Sequence, residues 1–265
     1  MKSPAIIALL TDFGLRDGNV GVMKGVILSI TPQARLVDLS HEIEPQDVRQ
    51  GAIVLGRSAP YFPDGSIFLS VVDPGVGTAR RPMAARLGGH TFVGPDNGLA
   101  TRLIARAERL GQTTSFVHLD RPQFWLPEVT AVFHGRDVFA PVAAHLADGV
   151  PLEDLGSPMP DPVRLPLPVP TPLPGGWRGE VEYIDHFGNL RTNLRREEVE
   201  EDRAWVVRVG GTEVRGLAHT FGDHSPGELV ALFGSTGELI LAVVNGSAAR
   251  HLGAKVGDVI EVIRA

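Results

Sequence analysis

Up to about residue 155, short apolar runs alternate with stretches of helical periodicity. Ala5 to Leu10, Leu36 to Leu39, Ile67 to Val72, Phe92-Val93 and Phe116 to Leu119 read as strands. Val22, Val26 and Ile30 recur at the spacing of one helix face, as do Val48, Ala52 and Leu55, and then Leu99, Leu103 and Ala107; a fourth helix is expected from Asp137 to Ala147. Strand-helix alternation of this kind predicts a mostly parallel sheet with helices on both faces, a three-layer α/β domain.

From Ser157 to Gly176 the chain reads SPMPDPVRLPLPVPTPLPGG. Prolines at nearly every second position forbid helix and central strand and leave an extended, semi-rigid connector. The expected division is therefore a domain over 1–156, a linker over 157–176 and a second domain over 177–265. In the second domain, Glu180 to Ile184 alternates, Trp205 to Val209 precedes the turn signal Gly210-Gly211, and Leu229 to Phe233, Leu239 to Val244 and Val259 to Ile263 follow. A single short helix near Ser247 to Leu252 interrupts them. Short strands of this kind imply a small antiparallel barrel or sandwich.

Composition narrows the class. The 265 residues are 43% hydrophobic and 21% charged, as in a globular protein with a substantial core. A net charge of −6 argues against a general nucleic-acid binder, which needs clustered basic residues. Zero cysteines exclude disulfides and thiolate chemistry and fit a cytoplasmic protein. The opening MKSPAIIALLTD has too short an apolar run to span a bilayer and reads as a first core strand.

Two strands of the first domain end in aspartate: ALLTDFG at Asp12 and SVVDPG at Asp73. Ligands of parallel sheets bind beyond the carboxyl ends of strands, so two carboxylates there suit a polyhydroxylated or cationic ligand. One such aspartate alone would more often open an Asx-turn. In Asp73-Pro-Gly-Val-Gly-Thr-Ala-Arg80, Pro74 stiffens the exit and Gly75 and Gly77 permit positive φ, so the turn can return Arg80 to Asp73. Arg80 and Arg81 could equally be solvated or pair with acidic neighbours. His134, in TAVFHGRD, is the natural general-base candidate; a loop histidine near a helix start, with Asp137 favourable in the first turn, is the plain alternative. Gly94 to Gly98 (GPDNG) reads as a turn and helix start. In YIDHFGN, an amide beside an aromatic could read and stack a purine, or the residues could form a satisfied turn. Asp12, Asp17, Asp38, His41, Asp73, Asp96, His134 and Asp137 could in principle furnish a dinuclear metal site, but no HxH, HExxH or DxD spacing occurs among them, which disfavours metal catalysis.

Taken together, TDFGLRDGNVGVMKGVI, VDLSHEIEPQDVRQGA, VVDPGVGTARR, FVGPDNGL, FHGRDVFAPVAAHLA, IDHFGNLRTN and GSTGELILAVVNGSAA resemble the S-adenosylmethionine hydrolase (adenosine-forming), or SAM hydroxide adenosyltransferase, family, related to the adenosyl fluorinase and chlorinase. They run almost end to end in the family order, with VVNGSAA where relatives often carry VNQGSAA. The resemblance implies an α/β domain joined to a β-barrel, a homotrimer with active sites between one subunit's first domain and its neighbour's second, and hydrolysis of S-adenosyl-L-methionine to adenosine and L-methionine without a cofactor, with the (R)-sulfonium epimer as a candidate substrate. It places a water-activating triad on Asp73, Arg80 and His134. It gives Asp12 the ribose hydroxyls and Asp17, Asp185 and Ser235 the methionine part. Phe187 and Asn189 fall to the adenine, with Glu238 and Val243 in a segment that closes over the nucleoside. A metal-dependent nucleotide phosphoesterase and a non-catalytic adenosine or S-adenosylmethionine sensor are the alternatives.

Overall fold

The computed structural model describes residues 4–199 and 204–265. The chain divides into two compact units, one ending at Leu165 and the other beginning at Pro166.

The first unit holds β1 (Ile6–Thr11), α1 (Asn19–Ile30), β2 (Arg35–Ser40), α2 (Val48–Ser58), β3 (Ile67–Val71), β4 (Pro82–Leu87), β5 (His90–Pro95), α3 (Thr101–Arg109), β6 (Thr114–His118), α4 (Ala140–Asp148) and the two-residue β7 (Ser157–Pro158). Its sheet runs β2-β1-β3-β5-β4-β6-β7. Strands β2, β1, β3 and β5 are parallel neighbours, and β4 runs antiparallel between β5 and β6. Alternate residues of each strand enter opposite layers. Ile7, Leu9, Ile67, Leu69 and Val71 pack with Met23 and Ile27 of α1 and with Val142 to Ala144 of α4. Ala8, Leu10, Phe68 and Val72 pack with Ala52 and Leu55 of α2 and Leu103, Ile104 and Ala107 of α3. This is the three-layer arrangement, and each fully buried Leu, Ile or Phe contributes about 1.5–3 kcal/mol to it.

Two local expectations change. The buried stripe of α1 is Val20, Met23 and Ile27, whereas Val22 is exposed and Val26 and Ile30 only flank the core. The helix is apolar nearly all round, so contact with the sheet, not periodicity, selects its inner face. The helix expected from Asp137 starts instead as one π turn, Gly135–Phe139, before α4.

The second unit comprises β8 (Thr171–Leu173), β9 (Gly176–Ile184), β10 (Leu190–Arg195), β11 (Trp205–Val209), β12 (Thr212–Arg215), β13 (Leu229–Phe233), β14 (Glu238–Val243), α5 (Ala248–Leu252) and β15 (Val259–Arg264). All its pairings are antiparallel, in the order β12-β11-β15-β9-β10-β14-β13, with β8 beside β9. The end strands β12 and β13 approach one another, so the sheet is a nearly closed barrel. Gly210 and Gly211, both at positive φ, form the two-residue turn between β11 and β12. Val181, Leu190, Leu194, Val207, Leu239, Leu241 and Val262 fill the interior, and Ser247 caps α5 through the Arg250 N–H.

Candidate active site

β3 ends at Val71, and Asp73 follows one buried residue later at the carboxyl end of the sheet. The Asn97 side-chain amide donates to the Val72 carbonyl at 2.8 Å, so the backbone leading into Asp73 is held by a side chain where the ladder stops. Beyond Asp73 the chain turns tightly, with Val76 N–H donating to the Asp73 carbonyl and the Thr78 hydroxyl to the Gly75 carbonyl. Of the two expected glycines, only Gly77 takes positive φ, at 74°. A Cβ there would lie 2.2 Å from the Ala131 carbonyl oxygen, so the turn is seated directly on the loop that carries His134. Gly77→Ala is expected to cost about 1–3 kcal/mol from backbone strain alone. The clash with a fixed carbonyl adds to this, so both the urea midpoint and turnover should fall; an unchanged midpoint would refute the close seating.

The turn returns Arg80 to Asp73. Arg80 Nε donates to Asp73 Oδ1 at 3.0 Å and Nη2 donates to Oδ2, a bidentate pair whose side chains are 7% and 5% exposed. Arg81 points elsewhere and binds buried Asp96 through Nε and Nη2 and Asp161 through Nη1. That accounts for the GPDNG stretch: Asp96 and Asn97 hold structure together.

Arg80 Nη2 also lies 3.2 Å from His134 Nδ1. A guanidinium only donates, so Nδ1 accepts and the proton of the neutral imidazole is on Nε2, which has no hydrogen-bond partner among the described residues. Burial, and next the Arg80 charge, hold His134 below the usual histidine range, against the opposing pull of Asp73 and Asp137. His134 was expected as a base; in this arrangement its free nitrogen is a donor. Arg80 Nη1 is buried without a hydrogen-bond partner among the described residues, and the guanidinium lies 5.4 Å from the Phe139 ring centroid.

The loop carrying His134 is clamped by Asp137, which is fully buried and accepts from Thr130 N, Thr130 Oγ1 and Arg136 Nε. Burial alone would raise its pKa, but these donors bring it below the usual carboxylate range. Asp137 is thus a loop clamp, beyond the first-turn charge expected of it. The Phe133 ring meets Phe13 edge-on at 5.7 Å, which sets the His134 loop beside the turn that carries Asp12.

Asp12 follows β1, whose Thr11 is in register with Val71 of β3, so Asp12 and Asp73 leave adjacent strands at the same end. Asp12 Oδ2 accepts the Gln46 N–H at 2.8 Å. Asp17 lies on the exposed part of the following turn, just before α1, and takes no hydrogen bond among the described residues.

In the second unit, Asp185 accepts from Phe187 N, Asn189 N and Asn189 Nδ2, and Arg191 Nε reaches its Oδ2 at 3.1 Å. It is therefore the organiser of its own turn. Phe187 is 73% exposed at the tip of that turn, and Asn189 beneath it is buried. Arg191 also donates to Glu238, whose other oxygen accepts from Thr236, so one guanidinium is shared by two carboxylates. Ser235 is exposed at the β13–β14 turn, and the Val243 carbonyl accepts the Gly246 N–H. The holding roles of Asn97 and Arg191 were not read from sequence, and Asp137 was read there only as a first-turn charge and a possible metal ligand. Their only signal was position beside charged turn residues.

Among the described residues, no three His, Cys, Asp or Glu side chains are grouped as a metal ion would need, and no helix is long and apolar enough to cross a membrane. Four of the eight metal candidates, Asp38, Asp73, Asp96 and Asp137, are each paired with a cation of their own.

The two units define an α/β-plus-barrel protein with a carboxylate, a guanidinium and an imidazole joined at its strand ends. Residues 7–156 match the SAM hydroxide adenosyltransferase N-terminal domain and 179–261 its C-terminal domain, and the chain belongs to that family. It is 44% identical to the (R)-S-adenosyl-L-methionine hydrolase of Salinispora tropica, covering 97% of each chain. It is 30% identical to a fluorinase of Nocardia brasiliensis, covering 97% of this chain and 96% of that one. A crystal structure of an uncharacterized conserved protein from Thermotoga maritima superposes with a TM-score of 0.90 at 39% identity, covering 97% of this chain and all of the other.

Proposed function

We propose that this chain hydrolyses S-adenosyl-L-methionine, including its (R)-sulfonium epimer, to adenosine and L-methionine. The carrying observation is Arg80, which joins Asp73 and His134 at the strand end of a chain in this family. The oxygen of a water or hydroxide held by Asp73, Arg80 and His134 attacks the ribose 5′ carbon. The carbon–sulfur bond breaks with its electron pair going to sulfur, and one proton is released. Methionine leaves as a neutral thioether, so no general acid is required, and the reaction is written without a cofactor. Positioning of the nucleophile in line with that bond is worth about 7–11 kcal/mol. Asp12 receives the ribose hydroxyls; Phe187 and Asn189 receive the adenine, with Glu238 and Val243 closing over the nucleoside. Asp17, Asp185 and Ser235 face the methionine part, Asp185 chiefly by shaping its turn. The chemistry and the absence of cysteine fit a cytoplasmic enzyme.

Incubation with each sulfonium epimer in the presence of a chelator should yield adenosine and methionine in equal amounts by chromatography. No adenosine from either epimer overturns the reading. Chelator-sensitive release of phosphate from nucleotides would indicate a phosphoesterase, and tight binding without turnover a sensor.

The same reading extends to a homotrimer in which each site takes its second half from a neighbouring copy. Co-expression of Asp73→Ala with the double variant Phe187→Ala/Asn189→Ala, each inactive alone, should restore about a quarter of the wild-type sites, as random mixing around a closed ring requires. Mixed oligomers without activity would overturn the shared site.

A further inference from the structure

β1, α1, β2 and His41 just beyond it carry a chain of polar side chains that the reaction as written does not use. Lys24 Nζ donates to Asp38 Oδ2 at 2.7 Å, and Asp38 Oδ1 lies 3.0 Å from His41 Nε2. On the other side of the ring, His41 Nδ1 lies 2.9 Å from Thr11 Oγ1, which also accepts the Phe13 N–H at 3.2 Å. The direction of each bond follows from its partners. Burial pushes the Asp38 pKa up, but Lys24 and His41 bring it below the usual range, so Asp38 is an ionised acceptor. His41 Nε2 then holds the proton, Nδ1 accepts from the Thr11 hydroxyl, and the hydroxyl oxygen takes the Phe13 N–H.

Threonine, histidine and aspartate in this order resemble a nucleophilic triad, but Thr11 is 0% exposed and no substrate can reach its oxygen. What the chain does touch is the turn around Asp12. Thr11 precedes that residue, the Phe13 N–H is drawn back over it, and Gly14 N–H donates to the His41 carbonyl at 2.8 Å. Both sides of Asp12 are therefore tied to one histidine. The carboxylate itself is held at Oδ2 by the N–H of Gln46, a non-glycine residue at φ 70°, while Oδ1 has no partner among the described residues. The Thr11–His41 end of this chain is buried, while Asp38 and Lys24 are partly exposed; a buried polar link contributes little net stability over an apolar core, but it fixes direction closely.

We propose that His41 is a positioning residue for Asp12: it pins the 11–14 turn so that the free Asp12 oxygen meets the ribose hydroxyls. This rests on the reading of Asp12 as the ribose ligand. His41→Asn places an amide oxygen where Nδ1 was and keeps Thr11. His41→Gln places an amide nitrogen where Nε2 was, keeps Asp38 and releases Thr11. The readout is the preference, as a ratio of kcat/KM, for S-adenosylmethionine over its 2′- and 3′-deoxy analogues, with the thermal midpoint as a control.

Wild type should prefer the ribose substrate by about ten- to a hundredfold for at least one hydroxyl, the range for hydrogen bonds to a charged group. His41→Gln should abolish that preference, mainly through KM, while His41→Asn keeps it within about threefold at a similar midpoint. If both variants lower the midpoint and leave the preference intact, His41 is structural only and the proposal falls. Asp12→Ala separates the two claims: a preference that survives this variant overturns the ribose reading itself. A preference lost in Asp12→Ala but kept in His41→Gln overturns the role of His41 alone. Asp38→Asn, one bond further out, should show a partial loss and serves if the histidine variants are too unstable to assay; an undiminished preference there counts against the proposal.

Discussion

Arg80→Lys should turn over S-adenosylmethionine about a thousandfold more slowly than wild type, close to 4 kcal/mol in the barrier, in the range for a preorganised donor in a buried site. The guanidinium makes three directed contacts, two to the Asp73 carboxylate and one to His134 Nδ1. A lysine ammonium supplies a point charge that cannot span them in one plane. Charge is conserved, so substrate affinity should change little, and calorimetry with a slow variant separates binding from chemistry. Arg80→Ala removes more, because it leaves the Asp73 side chain, 5% exposed, as an unpaired buried charge that costs about 3–5 kcal/mol of stability. Asp73→Ala combined with Arg80→Ala should be no slower than the worse single variant, since the two act as a unit. A kcat for Arg80→Lys within about threefold of wild type would sink the bridging role.

The second large effect separates a base from a holder at His134. With Nδ1 occupied by Arg80, the imidazole is left with Nε2–H to donate, and in the proposed reaction it donates to the attacking oxygen. His134→Ala should lower kcat by about a hundred- to a thousandfold, whereas His134→Gln, whose amide can donate from the Nε2 position, should stay within about tenfold of wild type. Glutamine cannot take a proton, so equal loss in both variants would restore the base assignment. The pH profile carries the same signature. Protonation of Nδ1 would set two cations against one another, so kcat/KM should fall on the acid side with a midpoint below the usual histidine value, as burial and Arg80 dictate. Stability has the same sign. The unfolded histidine takes its proton near about pH 6.5 while the folded one still refuses it, so stability declines as pH drops from there to the lowered folded value and is flat below. His145, lowered chiefly by burial, adds to that decline, so the kinetic midpoint is the cleaner measure.

Strong local patterns were legible where local forces decide. The runs at Ile67 and Leu239, the two-glycine turn at Gly210 and the Ser247-capped helix all form where their patterns place them. β4 was not legible, because PMAARL starts with proline and carries an arginine; it becomes a strand only through β5 and β6 on either side. β10 was hidden for a related reason: LRTNLR buries Leu190, Thr192, Asn193 and Leu194, and the two polar residues in the middle break the apolar period. At the site, Asp73 and Arg80 are seven residues apart in one turn, so their meeting follows from Gly77 and chain length. Of the links that hold them in place, Asn97 to Val72 depends on which loops the sheet brings together, and no spacing announces it; Thr130 to Asp137 closes within one loop, but nothing in that run marks Thr130 as the partner.

Asp12 differs from Asp73 and Asp96, two other strand-end carboxylates of this sheet. Asp73 is paired with Arg80 and Asp96 with Arg81, whereas Asp12 has a single backbone N–H and no cation among the described residues. In the proposed site that surplus negative charge is what attracts a sulfonium. It does not attract the products, because adenosine is neutral and methionine carries no net charge near neutral pH. The attraction that brings substrate in therefore ends with the carbon–sulfur bond, and the turnover itself loosens the hold on what has to leave.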